Sequence, residues 1–288
     1  MLYPINLIRE IEPEKSQYTY VYIDLVHRCN MECNNCYLPN RDYADADFEK
    51  LKHFITRFNV RTEFRLIGGE PTLYSHLPEL ISFINANPLN HRVTLVTNGL
   101  KLASKRYVKS LSDAGLNRIY LSMNGFDNDE IYKKLDNMEC AKLKMKALNN
   151  ILNHKIGMSV GYIIVKNVNE FLIDNMIRFF QENKQRMTFE FRNIGKVGRN
   201  MTNDVDNYTY NEIIDLLSNK FQFNKKSVHI DDDYSRVYKV DKFIIRINDW
   251  GIFENGMHIN ANKIRGRLTE NWKVASFFEH IKENEWQY

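Results

Sequence analysis

From Tyr20 to Arg192, six short runs rich in Val, Ile, Leu, Tyr and Phe alternate with longer stretches whose apolar residues recur at helical spacing. A chain patterned this way satisfies its backbone by laying parallel strands side by side and covering them with crossover helices. The runs are Tyr20–Val26, Glu63–Ile67, Arg92–Thr97, Arg118–Met123, Met158–Val165 and Thr188–Arg192, and their composition favours strand. Phe48, Leu51, Phe54 and Ile55, then Leu77, Leu80, Ile81 and Ile84, trace helix faces between them. Six βα units span less than the roughly 250 residues of a complete eight-fold barrel. The expected fold class is therefore α/β, a partial, open βα barrel of about six parallel strands with a C-terminal α+β appendage. After Gly198 the rhythm breaks: residues 200–207 are polar, Tyr210–Leu217 reads as a helix, and Tyr234–Phe253 reads as strands around Asn248-Asp249-Trp250-Gly251. The expected division is a barrel domain over residues 1–199 and a substrate-covering segment over 200–288.

Composition narrows the partners. Hydrophobic residues at 43% and charged residues at 26% are ordinary for a folded chain. The 40 basic residues exceed the 36 acidic ones by only +4, too little to argue for nucleic acid or an anionic membrane. The longest apolar stretches, such as Tyr162–Val165, fall far short of the roughly 20 residues of a membrane span. Arg9 and Glu10 interrupt the N-terminus before a secretory apolar region of about 7–15 residues can build, so the expected compartment is cytoplasmic. The acidic triplet Asp231-Asp232-Asp233 reads as a solvated loop.

Three of the four cysteines, Cys29, Cys33 and Cys36, lie in the loop CNMECNNC directly after the first strand. They are too close together to staple a fold, and thiolates are soft metal ligands. Four thiolates normally complete an iron-sulfur cube. Three leave one iron with an exchangeable position, by the logic that separates open catalytic sites from closed structural ones. The alternative is zinc with His27 or Cys140 as fourth ligand. His27 is cramped for wrapping one tetrahedral ion, and Cys140 falls in a predicted helix and reads as a packed or surface thiol.

The other strand ends carry small polar groups. Gly68-Gly69-Glu70-Pro71 ends the second strand, Thr97-Asn98-Gly99 the third and Ser122-Met123-Asn124-Gly125 the fourth. Taken singly, each is a strand-ending turn. Together with the cysteine loop they share the carboxyl face of the strands, where barrel-like folds bind ligands. Asn167, Asn169 and Arg192 extend the same ring.

Cys29-x3-Cys33-x2-Cys36 after a first strand, followed by Gly68-Gly69-Glu70-Pro71, resembles the radical S-adenosylmethionine superfamily over roughly residues 18–199. The resemblance implies that Cys29, Cys33 and Cys36 ligate three irons of a [4Fe-4S] cluster and that S-adenosylmethionine chelates the fourth. It implies that Gly68, Gly69 and Glu70 hold the methionyl amine, with Ser122 near the carboxylate or ribose and Thr97, Asn98, Asn124 and Arg192 around the cofactor. An aromatic residue usual before the third cysteine is here Asn35, with Tyr37 following. Cleavage of S-adenosylmethionine to a 5′-deoxyadenosyl radical, a donor such as ferredoxin or flavodoxin, and a peptide side chain or small metabolite as substrate are implied in turn. No cysteine follows Cys140, which leaves no set of four for an auxiliary cluster. Arg265 and Arg267, in Asn260-Ala261-Asn262-Lys263-Ile264-Arg265-Gly266-Arg267, are candidates for clamping an anionic substrate, against a solvated basic loop. The other function class is a non-catalytic iron-sulfur or zinc protein on nucleic acid, for which the expected basic stripe with interleaved aromatics is missing.

Overall fold

The computed structural model describes residues 10–38, 44–183, 187–195, 207–232, 235–250, 253–254, 257–258 and 264–276. All six expected strands form: β1 (Tyr20–Val26), β2 (Glu63–Gly68), β3 (Arg92–Thr97), β4 (Arg118–Ser122), β5 (Gly157–Ile163) and β6 (Met187–Arg192). They pair in parallel in chain order. Helices α1 (Phe48–Thr56), α2 (Leu77–Asn85), α3 (Lys105–Asp113), α4 (Asp129–Asp136), α5 (Ala141–Leu152) and α6 (Leu172–Glu182) lie between them. The start signals are side-chain caps. Asp47 accepts from the Lys50 amide ahead of α1, Ser104 from Tyr107 ahead of α3, and Asn128 from Ile131 ahead of α4. The apolar stripe read from the sequence is what each helix buries, Leu51, Phe54 and Ile55 on α1 and Leu77, Leu80, Ile81 and Ile84 on α2.

Beyond residue 207 come α7 (Tyr210–Phe221), β7 (His229–Asp232), β8 (Ser235–Val240), β9 (Phe243–Asn248), β10 (Phe253–Glu254), β11 (Met257–His258), β12 (Arg265–Leu268) and β13 (Val274–Ser276). Thr209 and Glu212 form a reciprocal capping box at the start of α7. The segment extends the sheet on both flanks, giving the order β13-β12-β1-β2-β3-β4-β5-β6-β9-β8-β7, with β10 and β11 as a separate pair. Strand β12 runs parallel to β1, and β9 runs parallel to β6. The parallel array is thus eight strands long rather than six, and the outer strands β13, β8 and β7 are antiparallel. Residues 200–206, Asp233, Gly251 and Asn260–Lys263, to which expectations were attached, lie outside the described residues. No described helix is long and apolar enough to cross a membrane.

Strand patterning explains the interior. In β4 the buried residues Ile119 and Leu121 alternate with half-buried Arg118, Tyr120 and Ser122. In β2, Phe64 and Leu66 are fully buried while Glu63 and Arg65 are half-buried. One face packs beneath the helices and the other, polar and aromatic, faces a lumen. Gly161 on β5 makes room there: a Cβ would stand 2.1 Å from the Tyr120 hydroxyl.

Candidate active site

The carboxyl ends of the strands surround a cavity of about 240 Å³. Cys29, Cys33 and Cys36 line it, together with Asn35, Tyr37, Gly68, Gly69, Thr97, Asn98, Ser122, Asn124 and Arg192. The scattered sequence candidates therefore converge on one face.

The cysteine loop is fastened from below and from the side. The amides of Gly69 and Glu70 donate to the carbonyls of Val26 (2.7 Å) and Arg28 (3.0 Å). This approach leaves no room for side chains: a Cβ on Gly68, whose φ is +135°, would lie 2.1 Å from the Val26 oxygen, and one on Gly69 2.3 Å from that of His27. Laterally, the Asn34 amide donates to Leu135 O at 3.1 Å, and its side chain to Lys134 O at 3.0 Å, tying the loop to the end of α4. Arg28 bridges Asp45 and the Leu73 carbonyl. Cys29 and Cys33 rest against Met31, Tyr132, Cys140 and Ala141. Burial, then the Asp136 carboxylate, holds the Cys33 thiol well above its usual range. Burial also pushes Cys140 up, to about 11, as befits a packed thiol outside the cavity lining.

Glu70 departs from expectation. Its carboxylate is fully buried, is absent from the cavity lining, and accepts four hydrogen bonds from the chain itself. Oε1 receives the Thr72 amide (3.0 Å), the Thr72 hydroxyl (2.6 Å) and the Thr97 hydroxyl (2.7 Å), and Oε2 receives the Asn98 amide (2.8 Å). A carboxylate has about four lone-pair sites. Three of the four donors converge on Oε1 and one on Oε2, so the carboxylate joins the ends of β2 and β3 from a buried position behind the lining glycines Gly68 and Gly69.

The polar wall opposite contains residues that the sequence reading missed. Lys144 on α5, 1% exposed, donates to the Ser122 carbonyl (2.9 Å) and stands 3.8 Å from Asp136, which accepts from Asn124 at 3.0 Å. Deeper in, Arg65 pairs with Glu63 (3.1 Å) and donates to the Tyr22 hydroxyl (2.8 Å). Arg192 stacks on Trp250, 3.9 Å from guanidinium to ring centroid, and donates to the Asn193 carbonyl at 3.3 Å. Trp250 is placed by its own amide, which donates to the Asn193 side chain at 2.6 Å. Burial lowers the Arg192 pKa to about 10, which keeps it protonated at neutral pH. Arg65, Lys144, Arg192 and Arg265 line the cavity against the carboxylates Asp136 and Glu190. Among the described residues no carboxylate lies within 4.0 Å of Arg192.

Two expectations change. Arg267 is not among the cavity-lining residues and forms a buried ion pair with Asp24, at 2.6 and 2.5 Å, because β12 lies beside β1 in a register that sets Arg267 against Tyr22. Asn169 is fully buried and structural: it binds the amide of Val165 and the carbonyls of Ile163 and Asn124. Neither Asn169 nor Asn167 lines the cavity.

Three thiols in one loop, opening on a cavity edged by bare glycine backbone, form a donor set that suits an iron-sulfur cube with one open corner. Among the described residues no three side chains of metal-binding type converge on a single-ion site. A cube instead spreads its thiolates over separate irons.

Over 181 residues the chain is 32% identical to 7,8-dihydro-6-hydroxymethylpterin dimethyltransferase of Methanocaldococcus jannaschii, covering 59% of this chain and 35% of that protein. It is 30% identical over 219 residues to GTP 3′,8-cyclase of Aquifex aeolicus, covering 70% and 64%. The chain thus spans between a third and two thirds of these relatives. Among solved structures, Streptococcus suis SuiB bound to S-adenosylmethionine superposes with a TM-score of 0.66 at 14% identity, over 90% of this chain and 60% of that one. The model of the Radical SAM superfamily matches residues 23–180. That stretch carries the three cysteines, Gly68-Gly69 and strands through β5, and the chain belongs to the radical S-adenosylmethionine superfamily of enzymes, which use a [4Fe-4S] cluster and S-adenosylmethionine.

Proposed function

We propose that Cys29, Cys33 and Cys36 hold the cluster, that Gly68, Gly69, Thr97, Ser122 and Asn124 surround S-adenosylmethionine, and that the enzyme acts on a small molecule or peptide side chain bearing an anionic group. The cofactor pair, when bound, supplies a 5′-deoxyadenosyl radical that takes a hydrogen atom from the substrate. The chain's own residues orient and shield. Backbone at Gly68 and Gly69 accepts from the methionyl ammonium, and Lys144 beside Ser122 supplies a cation for the methionyl carboxylate. The observation that carries the substrate class is Arg192, a protonated guanidinium stacked on Trp250 in the same cavity as the thiols, with no carboxylate among the described residues within the 4.0 Å of an ion pair. A buried cation in low dielectric is costly until an anion joins it. Arg265 lines the same cavity and completes the clamp; Arg267 is committed to Asp24. The phosphate-bearing substrate in the name of GTP 3′,8-cyclase supports an anion of this kind. An external one-electron carrier such as a ferredoxin or flavodoxin would supply the electron that such a cluster needs. Superfamily membership replaces the non-catalytic alternative that the cysteines alone left open.

Anaerobic reconstitution with iron and sulfide, then reductant and S-adenosylmethionine, should release 5′-deoxyadenosine. Cys33→Ala should abolish both the cluster absorbance and the product, and Cys140→Ala should keep both. In parallel, calorimetric titration with pyrophosphate and malonate should show uptake of at least one by the wild type and of neither by Arg192→Gln. Loss of the cluster only in Cys140→Ala would refute the ligand set, and equal anion uptake by both proteins would refute the substrate class.

A further inference from the structure

We infer that Asn98 is a positioning residue that sets the reduction potential of the cluster through an N–H···S hydrogen bond to Cys29; the inference rests on Cys29 being a cluster ligand. Every polar atom of Asn98 beyond its carbonyl is engaged. The backbone amide donates to Glu70 Oε2 at 2.8 Å. The side-chain oxygen accepts from the Leu100 amide at 3.0 Å, an Asx turn that closes the end of β3. Both hydrogens of the side-chain nitrogen are then left for the cysteine loop: Nδ2 lies 2.8 Å from Asn30 Oδ1 and 3.8 Å from Cys29 Sγ. The amide cannot be turned over, because the flipped form would set an NH2 against the Leu100 N–H. The donor facing Cys29 is therefore fixed from three sides, by Glu70, Leu100 and Asn30.

A turn alone requires only the oxygen. The nitrogen has a separate effect once Cys29 is a thiolate. A hydrogen bond to a cluster sulfur stabilises the redox state that carries more negative charge, which is the reduced one, so it raises the potential. An enzyme that must accept an electron from an outside carrier before anything else happens gains directly from such a bond. Glu70, buried and outside the cavity lining, gains a function as well: through the Asn98 amide it holds the potential-setting donor in place.

Substitution separates the two roles. Asn98→Ser keeps an oxygen for the Leu100 amide but has no N–H for sulfur, and Asn98→Asp keeps the turn oxygen, loses the donor and adds negative charge. Both should bind iron and sulfide at the wild-type ratio. In anaerobic redox titration followed by electron paramagnetic resonance, the reduction equilibrium of Asn98→Ser should fall about tenfold, about 59 mV for one electron, and that of Asn98→Asp further. Unchanged potentials, or loss of iron from both variants, would overturn the inference and leave Asn98 a fastener of the loop. Failure of the wild type itself to take up a cluster would count against the cysteine ligands and not against Asn98.

Discussion

Glu70 was expected from its motif to meet the cofactor ammonium, and in the structure its carboxylate joins the ends of β2 and β3. Two of its four donors are hydroxyls, which can rotate, and two are the backbone amides of Thr72 and Asn98, which cannot. Glu70→Gln keeps the volume but turns an NH2 toward donors, leaving one of those amides without an acceptor in a fully buried place. The expected cost is about 1–3 kcal/mol of stability, read as a lower urea midpoint of the metal-free protein. An unchanged midpoint with weakened S-adenosylmethionine binding would restore the role that the motif suggests. The motif letters pointed to Gly68, Gly69 and Glu70 together, and of these the two glycines line the cavity. The letters could not show which atoms face the ligand, because that depends on β3 arriving alongside with Thr97 and Asn98.

Elements were legible where periodicity was strong. The strands β1 to β6 and the faces of α1 and α2 follow from apolar spacing that reports burial directly. The same strands held an unused signal. Arg118, Tyr120 and Ser122 on β4, and Glu190 and Arg192 on β6, stand at alternate positions between buried apolar residues. This period of two, unusual for a parallel sheet covered by helices, marks the lumen-facing residues, and reading it would have found Arg65, Tyr120 and Glu190. What the sequence did not disclose was partnership across long separations. The two arginines of β12 read as an anion clamp or a solvated basic loop, and only pairing with β1 shows that one of them neutralises Asp24. Breaking a buried pair on one side leaves a charge uncompensated, so Arg267→Ala should cost about 3–5 kcal/mol, whereas Arg267→Met combined with Asp24→Leu should recover much of it. Chemical unfolding of the single and double variants tests this. A single variant as stable as wild type would show that the pair is dispensable and reopen a ligand role for Arg267.

At the scale of the whole chain, the boundary expected near residue 200 coincides with a change of sequence texture, yet strands from beyond it flank the sheet on both sides. We propose that residues 1–199 do not fold alone. A fragment ending at 199 would expose the edges of β1 and β6, both hydrophobic and unprotected, and should be insoluble or bind a hydrophobic dye, without a cooperative thermal transition. A cooperative transition near that of the full chain would establish 1–199 as an independent domain.

The pairing of Tyr20 with Arg265 and of Val21 with Gly266 also imposes an order in time. During synthesis β1 emerges first among the strands, and β12 is nearly the last. Long-range parallel pairing is slow to form because loop closure precedes its reward. One flank of β1, the strand that leads into the cysteine loop, therefore waits uncovered until β12, about 240 residues later, has been made. The loop that bears Cys29, Cys33 and Cys36 is thus left beside an uncovered edge for that interval, and free thiols there call for a reducing, shielded surrounding while β12 is awaited.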